Sequence, residues 1–429
     1  MIRFVDLFAG IGGIRLGLEN ACASLGVATS CVLSSEIDFN ARSTYQLNFS
    51  EEPSGDITQI SEFPDFDLLL AGFPCQPFSH AGPQRGFEDT RGTLFFEVAR
   101  VLKDKQPRGF ILENVQGLTT NDGGRTFETI LKTLRELGYG VRSVLLNSCN
   151  FGLPQNRLRV FILGLRDREP ALSLHTNKGP YDSHVYKKRM QATLFPEDSD
   201  DNITVKDILQ PRVEQKYQCT ERFVTLLSRV VGGDYAKLNG VRLIDYRGGN
   251  SIHSWDLGIK GECTPAEVDF MTALIANRRK HVFGRHQDGK KLTLEQIRTF
   301  YKQKNIKKVI SGLIAKGYLK LHGDRYDPVC GNMSFEVFKF LDPDSISITV
   351  TSTDAHRLGV VQNNVPRRIT PRECARLQGF PDSFKPHPID KFAYQQFGNS
   401  VSVPVVEAVA KDFLVQNSKS LKLRVRQAS

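Results

Sequence analysis

The chain has 429 residues, which is too long for one ordinary hydrophobic core and predicts two domains. Its 40% hydrophobic and 24% charged residues are typical of a globular protein and exclude extensive disorder. Lysine and arginine total 57 against 47 acidic residues, a basic excess that suits a nucleic-acid partner without requiring one.

Neither a membrane nor a metal is indicated. No apolar run approaches the roughly 18 residues of a membrane helix, and residues 1–6 lack the regions of a signal peptide. The eight cysteines show neither CxxC nor zinc-finger spacing, so we expect reduced thiols and no metal site. These patterns favour a cytoplasmic protein without a membrane partner.

The first 166 residues alternate strand-like and helix-like segments. Strands are predicted at 2–8, 31–33, 66–71, 109–112, 141–147 and 159–165, with helices near 14–21, 95–102 and 127–137. This order predicts right-handed crossovers and therefore an α/β fold, a doubly wound and mostly parallel sheet with helices on both faces. Ligands bind at the carboxyl ends of the strands in such sheets.

The chain changes character after residue 166. Residues 167–202 are polar, and residues 270–327 hold 14 lysines and arginines against four acidic residues, a local excess that equals the net charge of the whole chain. Two short helices at 292–301 and 306–314 and a hairpin at 318–326 fit a winged-helix DNA reader, and a solvated basic helical pair fits equally well. An apolar helix is predicted at 403–414.

These shifts in composition predict the domain organisation. We expect a catalytic and cofactor-binding domain at 1–166, a target-recognition domain at 167–345 with a winged-helix-like part at 290–327, and a segment at 346–429 that returns to the first domain.

Polar residues follow the predicted strands. A glycine-rich turn at 9–13 follows the first strand, and Glu36 follows the second, where a carboxylate can bind ribose hydroxyls. The pattern fits NAD, FAD or S-adenosylmethionine, or a turn that is merely tightly packed.

Further along, three more positions carry reactive or charged side chains. Cys75 lies between two prolines after the third strand, where a nucleophile is useful, although a structural cysteine also fits. Glu113 follows the fourth strand, and burial there would make it an acid near neutral pH. Arg157 and Arg159 lie on one side of an entering strand, as phosphate-binding or surface arginines do.

The order of these blocks is more specific than any one of them. Together they resemble the motif series of the DNA (cytosine-5)-methyltransferases of the bacterial restriction–modification type. The blocks are Asp6-Leu7-Phe8-Ala9-Gly10, Pro74-Cys75-Gln76, Glu113-Asn114-Val115, Gln155-Asn156-Arg157-Leu158-Arg159, Arg372-Glu373-Cys374-Ala375-Arg376-Leu377-Gln378-Gly379-Phe380-Pro381 and Tyr394-Gln395-Gln396-Phe397-Gly398-Asn399-Ser400-Val401. The resemblance covers roughly residues 1–166 and 346–410 and leaves 167–345 unmatched.

The resemblance implies transfer of a methyl group from S-adenosylmethionine to C5 of a cytosine flipped out of duplex DNA. Cys75 would add to C6 of the base and Glu113 would protonate N3, which makes C5 nucleophilic. Arg157 would hold the base through O2, and Arg159 would support the Cys75 loop and Glu113. Residues 76–90 would form a lid over the flipped base.

The resemblance also implies a set of residues around S-adenosylmethionine. Glu36 would bind the ribose, and Asp56 and Ile57 would surround the adenine. The remaining cofactor residues implied are Phe8, Ile11, Gly13, Gly72, Pro74, Leu94, Asn399 and Ser400.

The implied partner is double-stranded DNA with a short specific site, bound by a monomer associated with the nucleoid. A cognate restriction endonuclease would be a separate chain. The basic residues that could touch DNA as phosphate or base contacts are Arg247, Arg278, Arg279, Arg285 and Lys307.

Three other functions compete with this interpretation. An RNA (tRNA) cytosine-5 methyltransferase of the same fold would not need so long a variable insert. A non-catalytic DNA-binding regulator would be expected to have lost a residue of the Cys75, Glu113 and Arg157 set. An NAD-dependent oxidoreductase explains only the first 40 residues.

Overall fold

A computed structural model describes residues 1–74, 94–178, 203–246, 248–284, 290–329 and 335–423. The chain divides into two compact units. Unit 1 comprises Met1–Ile208, Ile346–Ala355 and Pro371–Ser429, and unit 2 comprises Leu209–Ser345 and His356–Thr370. Each unit is therefore assembled from segments that are far apart in the sequence.

The helices and strands of the described residues are numbered in chain order. They are β1 Ile2–Leu7, α1 Gly13–Ser24, β2 Thr29–Ser35, α2 Phe39–Phe49, β3 Leu68–Ala71, α3 Leu94–Lys105, β4 Gly109–Val115, α4 Arg125–Glu136, β5 Tyr139–Asn147, β6 Leu158–Arg166, α5 Val205–Ile208, α6 Glu221–Val231, β7 Arg242–Leu243, β8 Ser251–Ile252, α7 Pro265–Asn277, β9 Leu292–Thr293, α8 Leu294–Arg298, α9 Ile306–Ala315, β10 Leu319–His322, β11 Arg325–Pro328, β12 Lys339–Phe340, β13 Leu358–Gln362, β14 Val365–Arg368, α10 Pro371–Leu377, α11 Asp390–Asn399 and α12 Val403–Gln416.

Unit 1 is built on a six-stranded sheet with the order β2-β1-β3-β4-β6-β5. The first four strands in this order are parallel, whereas β6 is antiparallel to both β4 and β5. The prediction of a doubly wound, mostly parallel α/β sheet is therefore confirmed.

Each face of this sheet carries its own hydrophobic core. Because side chains alternate along a strand, Phe4 joins one core with α1 and α12, while Val5 joins the other with α3 and α4. The α1 helix approaches α12 closely at Gly17, where an added Cβ would lie 2.6 Å from Val406. The predicted apolar helix at the end of the chain therefore covers one face of the sheet.

The carboxyl end of β4 differs from the sequence prediction, and this difference bears on the site. The β4 strand continues to Val115, so Glu113 lies inside the strand, where it is paired with Phe161 of β6. Pairing with an antiparallel neighbour supplies backbone hydrogen bonds that a single-sequence pattern does not reveal. Because β6 runs antiparallel, its first residues lie beside the carboxyl end of β4.

Unit 2 contains two small sheets with separate cores. A five-stranded sheet has the order β14-β13-β12-β7-β8, and its core includes Phe223 and Leu227 of α6. A three-stranded antiparallel sheet has the order β10-β11-β9, and its core includes residues of α7, α8 and α9.

The basic segment contains the predicted helices and hairpin, with differences at its start. The structure has β9 and the short α8 where one helix was predicted at 292–301, because the Thr293 side chain caps α8 in a capping box with Gln296. The α7 helix was not predicted; it begins at a second capping box between Thr264 and Glu267.

Candidate active site at the carboxyl ends of the strands

The carboxyl ends of β1, β2, β3 and β4 lie at one edge of the unit 1 sheet. Leu7 of β1 is in register with Ser35 of β2 and with Ala71 of β3, and Val115 of β4 is in register with Arg159 of β6. The predicted polar residues that follow these strands are therefore close neighbours, as parallel pairing requires.

The glycine-rich turn after β1 has a left-handed backbone. Phe8, Gly10 and Gly12 have φ of +55°, +55° and +84°, and a non-glycine residue in this region is strained, as is common at functional sites. Gly13 has no space for a side chain, since an added Cβ would lie 2.7 Å from Oγ of Ser400. The turn and the loop at residue 400 are therefore in direct contact.

The Glu36 carboxylate holds this turn in place. Its Oε2 accepts a hydrogen bond from the backbone N–H of Gly10 at 2.8 Å, and its Oε1 accepts one from that of Asp38 at 2.8 Å. Asp56 directly precedes a single 3-10 turn at Ile57–Gln59, and its Oδ1 accepts a hydrogen bond from the backbone N–H of Thr58 at 2.9 Å. Both carboxylates thus have fixed directions at the strand-end edge.

The residues around this turn fit an S-adenosylmethionine nucleoside. An added Cβ on Gly10 would meet nothing within 4 Å, so the turn is open on that side, and Glu36 supplies a half-buried acceptor for hydroxyl groups. Pro74 and Asn399 are exposed and Leu94 is half-buried. A turn of this kind leaves room for a nucleoside beside the backbone.

Some cofactor residues differ in exposure from what a lining role suggests. Ile11 and Ile57 are 2% and 3% exposed, so both side chains lie in the interior and not on the surface of this edge. Ile37 and Phe39, which the sequence reasoning did not select, are 73% and 67% exposed. The position of Ile37 directly after Glu36 is the signal that could have selected it as a candidate.

Glu113 is buried against an arginine at the same edge. Its Oε1 lies 3.1 Å from Nε of Arg159, and its Oε2 faces Gly72, whose added Cβ would be 3.7 Å away. Burial raises the pKa of Glu113 above its ordinary value, and the positive charges of Arg159 and Arg157 oppose this rise. The carboxyl group is thus suited to hold a proton and to donate it.

Asn114 connects this strand to the chain that leads to Cys75. Its Nδ2 donates a hydrogen bond of 2.8 Å to the carbonyl oxygen of Phe73 in the buried interior. The backbone just before Pro74 is therefore fixed beside Glu113. Cys75 itself, and the predicted lid at 76–90, lie outside the described residues.

Arg157 does not face the open edge as predicted. Its buried guanidinium donates from Nη1 to the carbonyl oxygen of Val350 at 2.7 Å and from Nη2 to those of Gly398, at 3.3 Å, and Ser400. It precedes the first residue of β6, so strand alternation does not place it on the same side as Arg159. The assignment of base binding to Arg157 is therefore corrected: this side chain joins three backbone segments.

A buried polar network that sequence reasoning missed completes this junction. The Gln155 side chain donates to the carbonyl oxygen of Leu377 at 2.8 Å and accepts the N–H of Val350 at 2.8 Å. Gln378 donates to the carbonyl oxygen of Phe397 at 2.8 Å, and its Oε1 accepts from Ser402 at 3.0 Å. Both glutamines lie within the quoted motifs, but the partners of Gln155, Leu377 and Val350, are 222 and 195 positions away, which a local pattern does not reveal.

The sheet and its strand-end site define a methyltransferase-type α/β protein. The crystal structure of the S. pombe Dnmt2 methyltransferase has this fold; it superposes with a TM-score of 0.52 at 19% identity over 97% of this chain and 99% of that chain. At this identity the likeness concerns the fold alone.

The sequence comparisons identify the family. The model of the C-5 cytosine-specific DNA methylases matches residues 2–414, and the chain belongs to this family. It is 62% identical over 420 residues to the Type II methyltransferase M.BanI of Aneurinibacillus aneurinilyticus, covering 98% of this chain and 97% of that protein. It is also 62% identical over 413 residues to the Type II methyltransferase M.HgiCI of Herpetosiphon aurantiacus, covering 96% and 97%.

The chain is therefore a DNA (cytosine-5)-methyltransferase of the type found in restriction–modification systems. Family and fold imply S-adenosylmethionine as the methyl donor. Among the residues that the structure describes, no helix is both long and apolar enough to cross a membrane.

Proposed function

We propose that this enzyme methylates C5 of a cytosine that is flipped out of duplex DNA at one short specific site. It acts as a monomer in the cytoplasm on nucleoid DNA, and the methyl mark protects the site from a cognate endonuclease encoded as a separate chain. The family membership supports methylation of DNA, and the arrangement of the strand-end edge supports the chemistry.

The observation that carries the mechanism is the buried Glu113 carboxyl group. Its raised pKa favours the protonated form, and Arg159 fixes its direction at 3.1 Å. The bond from Asn114 to Phe73 holds the start of the Cys75 segment beside it. A proton donor and a nucleophile on one cytosine ring need this proximity.

The Cys75 thiolate forms a bond to C6 while Glu113 gives its proton to N3. The C5–C6 double bond is lost, and a C4–C5 double bond forms as an enamine whose C5 is nucleophilic. C5 then takes the methyl group, which S-adenosylmethionine supplies as an electrophilic sulfonium methyl. Loss of the C5 proton to a base, which water can provide, re-forms the double bond, breaks the Cys75–C6 bond and lets N3 return its proton to Glu113.

The two arginines have different roles in this proposal. Arg159, whose side chain is 14% exposed, is the arginine that can reach O2 of the base while it pairs with Glu113. Arg157 acts as a positioning residue, because it binds the carbonyl oxygens of Val350, Gly398 and Ser400. It thereby holds the loop that contacts the glycine-rich turn at Gly13.

The same edge would hold the methyl donor. We assign the ribose hydroxyls to Glu36 and the adenine to the surroundings of Asp56, Ile57 and Ile37. The other residues of this proposed pocket are Phe8, Ile11, Gly13, Gly72, Pro74, Leu94, Asn399 and Ser400.

A transfer assay tests the function directly. The enzyme is incubated with labelled S-adenosylmethionine and unmethylated duplex DNA, with total tRNA in parallel, and the products are read by bisulfite sequencing. Label in DNA at one recurrent short motif is expected. Label in tRNA alone would contradict the proposal and support the RNA-modifying alternative.

A further inference from the structure

The described residues between 265 and 328 have the element order of a winged helix. The order is helix, strand, helix, helix and hairpin, formed by α7, β9, α8, α9 and β10–β11. Its three strands form one antiparallel sheet, and its helices and strands share one hydrophobic core. We call this part of unit 2 the winged-helix module.

The α9 helix of this module has one buried and one exposed face. Ile306, Val309, Ile310 and Leu313 enter the core. Gly312 lets α9 pack closely on α7, because an added Cβ would lie 2.3 Å from Oε1 of Glu267. The opposite stripe is exposed at helical spacing and consists of Lys307, Lys308, Ser311, Ile314 and Ala315, with Ile314 38% exposed.

The charge around this stripe is positive throughout. Residues 296–323 contain seven lysines and arginines and neither aspartate nor glutamate. Lys316, at the end of α9, pairs with Glu267 at 2.5 Å. Lys304, Lys307 and Lys308 are exposed, and within the described parts of the chain they form no ion pair. Their charges are therefore available to an external anion.

The β10–β11 hairpin extends the same basic surface. Its turn contains Gly323 with φ of +64°, which permits a tight connection. Lys320, His322 and Arg325 are exposed on it, and Leu321 is 51% exposed. Arg325 lies 3.9 Å from the one acidic residue of the turn, Asp324. An exposed hairpin with basic side chains and one apolar residue is the form of a wing that can lie along a nucleic-acid backbone.

We propose that α9 is the recognition helix of this enzyme and inserts its exposed stripe into the major groove of the target site. Ser311 and Ala315 face the base edges, Lys304, Lys307 and Lys308 bind flanking phosphates, and the hairpin follows the backbone beside them. The assignment rests on the proposed function, because it takes duplex DNA as the substrate.

The side chains of the stripe suit base contacts at its centre and phosphate contacts at its amino-terminal end. Small residues in its centre let the helix backbone come close to the bases, where a serine hydroxyl can hydrogen-bond and an alanine methyl can contact thymine. Lysines at its amino-terminal end supply phosphate contacts, which position the helix without reading sequence. A solvated basic surface would not need an uncharged centre, and this one also exposes Ile314 for apolar contact.

The phosphate contacts are tested by the salt dependence of DNA binding. In the full chain, Lys307→Ala with Lys308→Ala is expected to lower the slope of log K against log salt by about 2, since each phosphate contact contributes about 0.9. The control is Lys103→Ala with Lys132→Ala on α3 and α4. These helices return between parallel strands, so both lysines lie toward the sheet end opposite the candidate site. The control has the same net charge and should keep the original slope.

The base contacts are tested with an uncharged change. Ser311→Gln is expected to weaken binding to the methylation site at least tenfold while binding to unrelated duplex stays within twofold. The control is Thr272→Gln at an exposed position of α7, which should leave both affinities unchanged. Thermal unfolding of all variants verifies that the module remains folded.

The outcomes separate this assignment from the proposed function. If the unchanged enzyme fails to methylate duplex DNA, the proposed function fails and the assignment fails with it. If it methylates DNA and the α9 variants keep both salt slope and site preference, only the assignment is overturned. If the α9 variants lose binding to tRNA but not to DNA, the surface is an RNA site and the assignment is also wrong.

Discussion

The strand-end edge of unit 1 and the winged-helix module of unit 2 use charge in opposite ways. At the edge, Glu113 and Arg159 are paired out of water, and Arg157 is committed to backbone carbonyls. In the module, Lys307 and Lys308 are exposed and form no ion pair with the residues that the structure describes. One region keeps its charges fixed, whereas the other leaves them free.

The difference follows from what each region must do. Proton transfer to a base needs a donor whose direction and pKa are set before the substrate arrives, and burial provides both. Phosphate binding is driven by release of counterions, which requires charges that are solvated beforehand. Substitutions at the edge should therefore change the chemical step, and substitutions in the module should change binding and its salt dependence.

The largest effect is expected for Cys75→Ala. Without a nucleophile C5 is not activated, so methylation should be abolished while site-specific DNA binding, measured by gel shift, remains within a few fold. Cys31→Ala, a half-buried cysteine outside the site, is the matched control and should keep full activity. Residual turnover of Cys75→Ala would contradict the covalent mechanism.

The second-largest effect is expected for Glu113→Gln. This variant should lose about 10²- to 10⁴-fold in the single-turnover rate, because the amide cannot give a proton to N3. Affinity for S-adenosylmethionine should stay within about twofold. The raised pKa of Glu113 adds a second test: the rate should fall as pH rises through this pKa and the carboxyl loses its proton.

That falling limb should be missing in the Glu113→Gln variant. Glu128→Gln on α4, an exposed glutamate, should leave both the rate and the pH profile unchanged. An unchanged single-turnover rate for Glu113→Gln would remove its proposed role as an acid.

Substitutions of Arg159 and Arg157 should affect different properties, the rate of methylation for Arg159 and the stability of the fold for Arg157. Arg159→Lys should lower the rate and leave thermal stability nearly unchanged, since lysine keeps a charge near Glu113. Arg157→Lys should lower stability by about 2–4 kcal/mol, because one ammonium cannot reach three carbonyl oxygens and buried charged hydrogen bonds contribute about 1.5–3 kcal/mol each. Thermal unfolding and initial rates measure both, and the reverse pattern would restore base binding to Arg157.

The last prediction concerns the pH dependence of stability at Asp6 on β1, which is fully buried without a hydrogen-bond partner among the described residues. Burial raises the pKa of Asp6 to about 8, although Arg15 opposes the rise. Between this value and the pKa of about 3.9 in the unfolded chain, only the folded state holds the proton. Its contribution to stability is therefore complete at low pH and falls as pH rises to about 8.

Asp6→Asn should remove this dependence. The difference in unfolding free energy between variant and unchanged protein should shift by at most about 1.4 kcal/mol per pH unit in favour of the variant over this window. Chemical unfolding at several pH values measures it. Asp104→Asn, an exposed aspartate on α3, should show no such trend. A flat difference for Asp6→Asn would show that its pKa is not raised.

Short motifs allowed much of the strand-end edge to be predicted. The turn after β1, Glu36 and Glu113 lie where the alternation of strands and helices places them, because parallel strands end at one edge. The roles of Arg157 and Arg159 could not be assigned in this way. Which arginine is buried depends on where β6 begins and on carbonyl groups of residues 350, 398 and 400, which local periodicity does not contain.

The winged-helix module was also predicted only in part from the sequence. Its charge excess and two of its helices were visible, but α7 and the β9 strand were not, because short strands form only when a partner strand is present. Without them the basic segment fitted a winged helix and a solvated helical pair equally well. The exposed stripe of α9 could be identified only from the structure, because the packing of Gly312 against Glu267 shows which face of the helix is buried.

The sequence by itself determined the family, the fold class, the order of the motifs and the location of the positive charge, since these depend on residue identity and local pattern. The tertiary structure alone decided which charged groups are buried and which are free. Burial and pairing arise from contacts between distant residues, and they set pKa values and hydrogen-bond partners. Those contacts distinguish the buried Glu113, the proposed proton donor, from an ordinary surface glutamate, and the stripe of α9 from an ordinary basic helix.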